Sequence, residues 1–325
     1  GIDLKNDGKK ATVFVTAKGC VARCTFCHRN EKGYRVLPQS STSMHLKDLV
    51  ENYNVGWLSI GDENFGSNKT ATRVFVEDLR KLKLKWRAGG VRANTVDLNT
   101  LKLWKNNGCT QVIYGIESGS PTMLSIMEKK ITLEQNINAL KWTYEAGLPT
   151  VVQLVIGMPG ENDITIDETI DFLINTMPYY SECFRNQRNL FISINYAQSL
   201  PGTPLYEYAR EKKYISTSLD AEEEYLIKIS DIDAYREDHF VNYTEQPLLK
   251  VLSWRYKINF NVFKYHAKNN LNIESTFLEK TISFIIIISK IILKEIKIEI
   301  NYNSLIEKKL SKFSKSEESD GYFNF

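Results

Sequence analysis

Ala11-Thr12-Val13-Phe14-Val15-Thr16-Ala17-Lys18-Gly19-Cys20-Val21-Ala22-Arg23-Cys24-Thr25-Phe26-Cys27-His28 joins a β-branched run to three closely spaced cysteines. Ala11 to Thr16 reads as a strand, because β-branched and aromatic side chains suit a pleated, half-buried surface. The loop after it carries Cys20, Cys24 and Cys27 in the order C-x-x-x-C-x-x-C. Three thiolates on one short loop can hold three irons of a 4Fe-4S cluster and leave the fourth iron to a small molecule. An unfilled coordination position is what separates a reactive metal site from a structural one. Cys20, Cys24 and Cys27 are therefore the candidate metal ligands and, through the cluster, the candidate catalytic residues.

Other uses of the triplet fit less well. A zinc site commonly pairs two C-x-x-C knuckles, or two Cys with two His, and this triplet has no matching second pair. His28 is adjacent to Cys27, so turning back onto the same metal is awkward. Five cysteines are an odd number for a disulfide framework in a chain of 325 residues whose start is polar. Cys109 and Cys183 stand alone and read as small buried hydrophobes. A structural zinc or redox-sensing module, and a cluster-binding barrel without turnover, stay as the alternatives.

Working outward, strand and helix patterns alternate as far as Lys212. A helix over His45–Asn54 precedes a strand at Val55–Ile60; a helix from Thr70 to Lys83 precedes a strand at Lys85–Val91. Leu98–Asn107 reads as a helix ending at Gly108, a C′ position, followed by a strand at Gln111–Ile116. Thr132 caps a helix through Ala146 that stops at Gly147. Strand five is Val151–Ile156, with a helix near Ile164–Asn175; strand six is Leu190–Ala197, with a last helix after Pro204. Serial strand–helix units mean parallel strands joined by crossover helices. The expected fold is α/β, a partial (β/α)6 TIM-like barrel with a mostly helical C-terminal extension. Chemistry in such folds collects at the C-terminal strand ends, where the cysteine loop lies.

The expected domains are the barrel at 1–215, a helical extension at 216–300 and a polar tail at 301–325. The extension opens with Glu222-Glu223-Glu224 and continues in a long helix, Gln246–Lys268, whose Trp254, Tyr256, Phe260 and Phe263 read as packing against the barrel. Ile282 to Leu293 is apolar but shorter than the ~20 residues a membrane span needs; peripheral membrane contact is the minority reading there. A net charge of +3 gives no nucleic-acid signature. Unpaired cysteines and a polar start point to the cytoplasm. The missing initiator Met suggests that Gly1 is not the native start.

The triplet, with an aromatic residue directly before its last cysteine, resembles the radical S-adenosylmethionine (radical SAM) enzymes, over roughly Ala11 to Lys212. Gly61-Asp62-Glu63-Asn64-Phe65 stands where that family carries a Gly-Gly-Glu-like motif, whose carboxylate and backbone receive the methionine amino group. Gly61 and Glu63 match; Asp62 replaces the second glycine, which leaves open which carboxylate makes the contact. Gly115-Ile116-Glu117-Ser118-Gly119-Ser120 looks like the Gly-x-Glu-Ser-Gly of the cobalamin-dependent branch, and Leu124 to Thr132 is similar too. That likeness implies that Glu117 and Ser118 face the nucleoside. Gly157-Met158-Pro159-Gly160-Glu161 and Asn195-Tyr196-Ala197-Gln198 follow at strand ends that pack on adenine in the family, implicating Val155, Gly157 and Tyr196; Phe26 lies beside the cluster. Solvated turns are the plainer readings of these loops taken singly.

The resemblance implies a 4Fe-4S cluster and S-adenosylmethionine as cofactors. It also implies a small-molecule substrate and an electron donor such as flavodoxin or ferredoxin. Reductive cleavage followed by hydrogen abstraction from a substrate C–H is the implied reaction, leading to C-methylation or cyclisation. The branch's D-x-H-x-x-G cobalt motif does not occur around His28, His45, His239 or His266. Cobalamin is therefore expected only from a partner or a domain outside this sequence.

Overall fold

In the computed structural model, the described residues are 8–28, 33–181, 192–216, 218–230, 234–237 and 240–270. Six strands form one parallel sheet in the order β1 (Lys10–Phe14), β4 (Val55–Ile60), β5 (Lys85–Val91), β6 (Cys109–Glu117), β7 (Thr150–Ile156) and β8 (Ile192–Tyr196). The strands curl into a half-barrel. Between β1 and β4 lie a two-stranded antiparallel hairpin, β2 (Ala17–Lys18) with β3 (Arg35–Val36), and helix α1 (Gln39–Glu51). The crossovers that follow are α2 (Lys69–Lys81), α3 (Leu98–Asn106), α4 (Pro121–Ile126) with α5 (Leu133–Glu145), and α6 (Asp163–Ser181). After β8 come α7 (Pro204–Glu211), α8 (Leu219–Ser230) and α9 (Leu248–Asn270).

Period-two alternation separates the faces of this sheet. Leu58, Ile60, Trp86, Val112, Tyr114, Val152, Leu154 and Ile194 are buried in the core beneath the helices. The register places Ser59 beside Arg87, Arg87 beside Gln111, and Gly115 beside Gln153. These residues share the opposite, concave face. An aromatic cluster anchors the first half of the core: Phe65 lies 5.1 Å from Trp104 and 5.7 Å from Trp86, centroid to centroid.

Local signals work as chemistry dictates. Thr132 closes a capping box with Gln135 at the start of α5. Gly108 and Gly147 follow helices with φ of 90° and 68°, the left-handed stop that glycine permits. Helix α1 starts at Gln39, earlier than the expected His45, because the first turn needs only the Pro38 carbonyl, which accepts from Thr42 N at 3.1 Å. The polar run Gln39 to Ser43 conceals that start. The hairpin and α4 were not in the sequence expectation; two-residue strands and a six-residue helix leave no periodicity to detect.

The compact unit carrying the barrel spans Gly1–Tyr265. Of the second unit, His266–Phe325, only the end of α9 is described. The apolar run Ile282–Leu293, the tail from 301, Cys183 and His239 lie outside the described residues. No helix among the described residues is long and apolar enough to cross a membrane.

Candidate active site

The cysteine loop leaves the C-terminal end of β1 and is held at both sides. Thr25 N donates to Met127 O at 3.0 Å, and Thr25 O accepts from Leu205 N at 3.0 Å. One residue thus ties the loop to the end of α4 and the start of α7. Cys20 and Cys24 are buried, Cys27 is exposed, and all three are free thiols. Arg92, just past β5, directs Nη1 at Cys24 Sγ at 3.5 Å, while its Nη2 donates to Lys129 O. Partial desolvation pushes the Cys27 thiol up to about 11, followed by the charges of Cys24, Cys20 and Glu117, with Lys129 opposing. Among the described residues no three His, Cys, Asp or Glu side chains converge on a single metal ion. A soft thiolate donor set beside a guanidinium fits an iron–sulfur cluster whose ligands are spread over separate irons.

The turn after β4 is placed by its neighbours. Gly61 N donates to Phe14 O at 2.9 Å, and Phe65, fully buried, anchors the far end. Gly90, at φ 62°, lets the Asp62 carbonyl come so close that any Cβ there would collide with it. Glu63 is exposed at the rim. Asp62 is not: Thr16 N and Thr16 Oγ1 donate to its two carboxylate oxygens at 2.6 and 2.5 Å. Burial raises its pKa and those hydrogen bonds oppose the rise. Its carboxylate is committed to fastening the entry of the cysteine loop, which leaves Glu63 as the uncommitted carboxylate of the two the sequence offered.

The end of β6 holds a buried ion pair. Lys129 Nζ donates to Glu117 Oε1 at 2.6 Å, with side-chain exposures of 6% and 11%. Glu117 has φ 67°, an uncommon conformation for a residue with a Cβ and a mark of strain at functional sites. Its carboxylate folds back over Gly115, where any Cβ would collide with Oε1. Ser118 goes elsewhere: its hydroxyl pairs with Thr169 Oγ1 at 3.1 Å and accepts from Ser120 N at 3.1 Å. The structure thus makes Ser118 a clasp onto α6 rather than a rim contact.

At the ends of β7 and β8 the expected residues part. Val155 is half-buried on the concave face, in an apolar cluster with Phe26 and Met158. Tyr196 pairs with Ile156 rather than with Val155, so it points to the outer face. There it stacks with Phe240 at 4.9 Å and lies under the Arg255 guanidinium at 4.2 Å. That packing turns the Tyr196 ring away from the concave face that carries Val155. Gly157, at φ 87°, touches the Phe240 ring. Its N–H donates to Glu161 Oε2; burial pushes this carboxyl up to about 8.

Glu63, Glu117, Lys129, Arg92 and the cysteines therefore belong to the same rim, whereas Asp62, Ser118 and Tyr196 serve packing. Residues 14–173 match the sequence profile of the Radical SAM superfamily. The barrel is a radical SAM domain. An uncharacterized methyltransferase of Pyrococcus horikoshii is 30% identical over 63% of this chain and 43% of its own length. The anaerobic magnesium-protoporphyrin IX monomethyl ester cyclase of Rubrivivax gelatinosus is 26% identical over 50% of this chain and 30% of its own length. The chain thus spans less than half the length of these curated relatives. Among solved structures, the cobalamin-dependent S-adenosylmethionine radical enzyme OxsB superposes with a TM-score of 0.55 at 20% identity, covering 84% of this chain and 44% of that one. This shared fold is the partial TIM-like half-barrel. Arg92 and Lys129 are the rim residues the sequence reading passed over; positive φ at Glu128 and Lys130 (46° and 51°) turns Lys129 inward, and no local pattern announces that.

Proposed function

We propose that this chain is the catalytic barrel of a radical SAM enzyme that abstracts hydrogen from a small-molecule C–H on the way to C-methylation or cyclisation. The cluster and S-adenosylmethionine, once bound, supply the chemistry: reductive cleavage of the sulfonium to a 5′-deoxyadenosyl radical. The observation that carries the reading is the fixed loop of three free thiols beside Arg92. Cys20, Cys24 and Cys27 would hold the cluster. Glu63 and the backbone at Gly61 would receive the methionine ammonium, since a charge-assisted acceptor suits it. Glu117, pre-placed by Lys129, would orient the nucleoside, and Val155 with Phe26 would offer it an apolar wall. The protein's part is orientation and exclusion of water.

Methyltransferase and cyclase relatives support the two outcomes named. Cobalamin, bound by OxsB, would come to this chain from a partner or a further domain. Flavodoxin or ferredoxin would serve as reductant, in the cytoplasm. The test is formation of 5′-deoxyadenosine by anaerobically reconstituted protein with dithionite. Wild type is expected to form it and Cys24→Ala to form none; equal product from both overturns the reading.

A further inference from the structure

We propose that the concave face of the half-barrel holds an anion-binding subsite centred on Arg87, so that the substrate is a small carboxylate or phosphate ester. This rests on the radical SAM reading and adds the substrate class. Arg87 projects from the middle of β5 onto the concave face. Its Nε donates to Ser59 Oγ at 2.9 Å, and its guanidinium lies 5.3 Å from the Trp57 ring centroid. Those two contacts fix the plane of the guanidinium and leave Nη1 and Nη2 as free donors. No carboxylate pairs with Arg87 among the described residues.

The neighbourhood has the same bias. Trp57 Nε1 is buried and has no hydrogen-bond partner, an unused donor on the ring that the Arg87 guanidinium covers. Lys85, on the same face of β5 and paired in register with Trp57, is exposed at the start of the strand and brings no negative charge. The other concave positions are Ala11, Val13, Gln111, Ile113, Gly115, Val151, Gln153, Val155, Ser193 and Asn195 by register. None is acidic. The nearest acid on that face is Glu117 at the rim, and Lys129 already neutralises it. A half-buried guanidinium without a counter-ion is costly unless a ligand supplies one. Guanidinium forks match carboxylate and phosphate oxygens in paired geometry.

Depth adds a length requirement. Ser59, the register partner of Arg87, precedes Gly61 by two residues, or about 7 Å along a strand. A ligand whose anion sits at Arg87 would therefore bring atoms about 7 Å from that anion to the level of the cysteine loop.

The test titrates inorganic phosphate, and separately succinate, into the oxidised, reconstituted full chain labelled with 15N-tryptophan. Trp57→Phe assigns the Trp57 indole resonance. At least one anion is expected to shift that resonance saturably at millimolar concentration or below. Arg87→Gln should weaken the effect at least tenfold, and Arg87→Lys less. A response to phosphate alone selects a phosphate ester, and one to succinate alone a carboxylate. An unmoved Trp57 resonance in wild type, or an equal response in Arg87→Gln, overturns the subsite. Should Arg87→Gln fail to fold, the wild-type titration and Arg87→Lys still decide. This readout needs no cleavage of S-adenosylmethionine, so its failure and that of the proposed reaction are distinguishable.

Discussion

The two faces of the six-stranded sheet are built from alternate residues of the same strands, yet they follow different rules. The outer face carries Leu58, Trp86, Tyr114 and Leu154, fully buried and packed to the density of a protein core. The concave face carries Ser59, Arg87, Gln111 and Gln153, side chains with donors and acceptors to spare. Packing decides the first set; under the proposed subsite a ligand decides the second. A substitution on one face should therefore register in stability, and on the other in binding or chemistry.

The strongest contrast is between Trp86 and Gln153. Trp86→Ala removes a fully buried ring that meets Phe65 and Trp104 at 5.7 and 5.9 Å, and should cost about 3–5 kcal/mol in chemical denaturation. Gln153→Ala should cost less than about 1 kcal/mol. Equal losses would erase the distinction.

The rim mixes both rules at Glu117 and Lys129. Lys129→Met leaves a buried carboxylate without its partner and should cost about 3–5 kcal/mol. Adding Glu117→Gln should restore a good part of that loss. A double variant no better than the single one would deny that the pair acts as a unit.

Glu161 makes the contrast pH-dependent. Its folded-state pKa is raised by burial from 4.5 to about 8. Between those values the folded protein keeps a proton that the unfolded chain has released, so stability falls as pH rises through this window. Melting temperatures from pH 4 to 9 should show wild type losing stability relative to Glu161→Gln, with the loss complete above about 8. A difference that grows in favour of wild type would reverse the sign.

Arg92 is the mildest case. A cation 3.5 Å from Cys24 Sγ favours the electron-rich form of a cluster bound there. Arg92→Gln should lower the midpoint potential in an EPR-monitored titration, with Arg92→Lys closer to wild type. An unchanged potential would reduce the contact to packing.

These contrasts explain what was legible beforehand. Alternation and capping are local, so Val55–Ile60, Lys85–Val91 and the Thr132 cap could be read from a few residues each. Strand parity was not legible: Val155 and Tyr196 both sit at strand ends, and only the register, Ile156 beside Tyr196, shows that they face opposite ways. The choice between Asp62 and Glu63 stayed open in the sequence because the partner of Asp62, Thr16, lies forty-six residues earlier. Arg92 and Lys129 were invisible for the same reason. Their partners, Cys24 and Glu117, lie 68 and 12 residues away, and no spacing rule links them.

The most direct test of the central claim is the EPR spectrum of the reconstituted, dithionite-reduced protein, recorded before and after addition of S-adenosylmethionine. Three thiolate anchors with one coordination position open predict a 4Fe-4S signal whose g values change when S-adenosylmethionine is added, and which Cys24→Ala lacks. A signal indifferent to S-adenosylmethionine, or material that takes up neither iron nor sulfide, would contradict it.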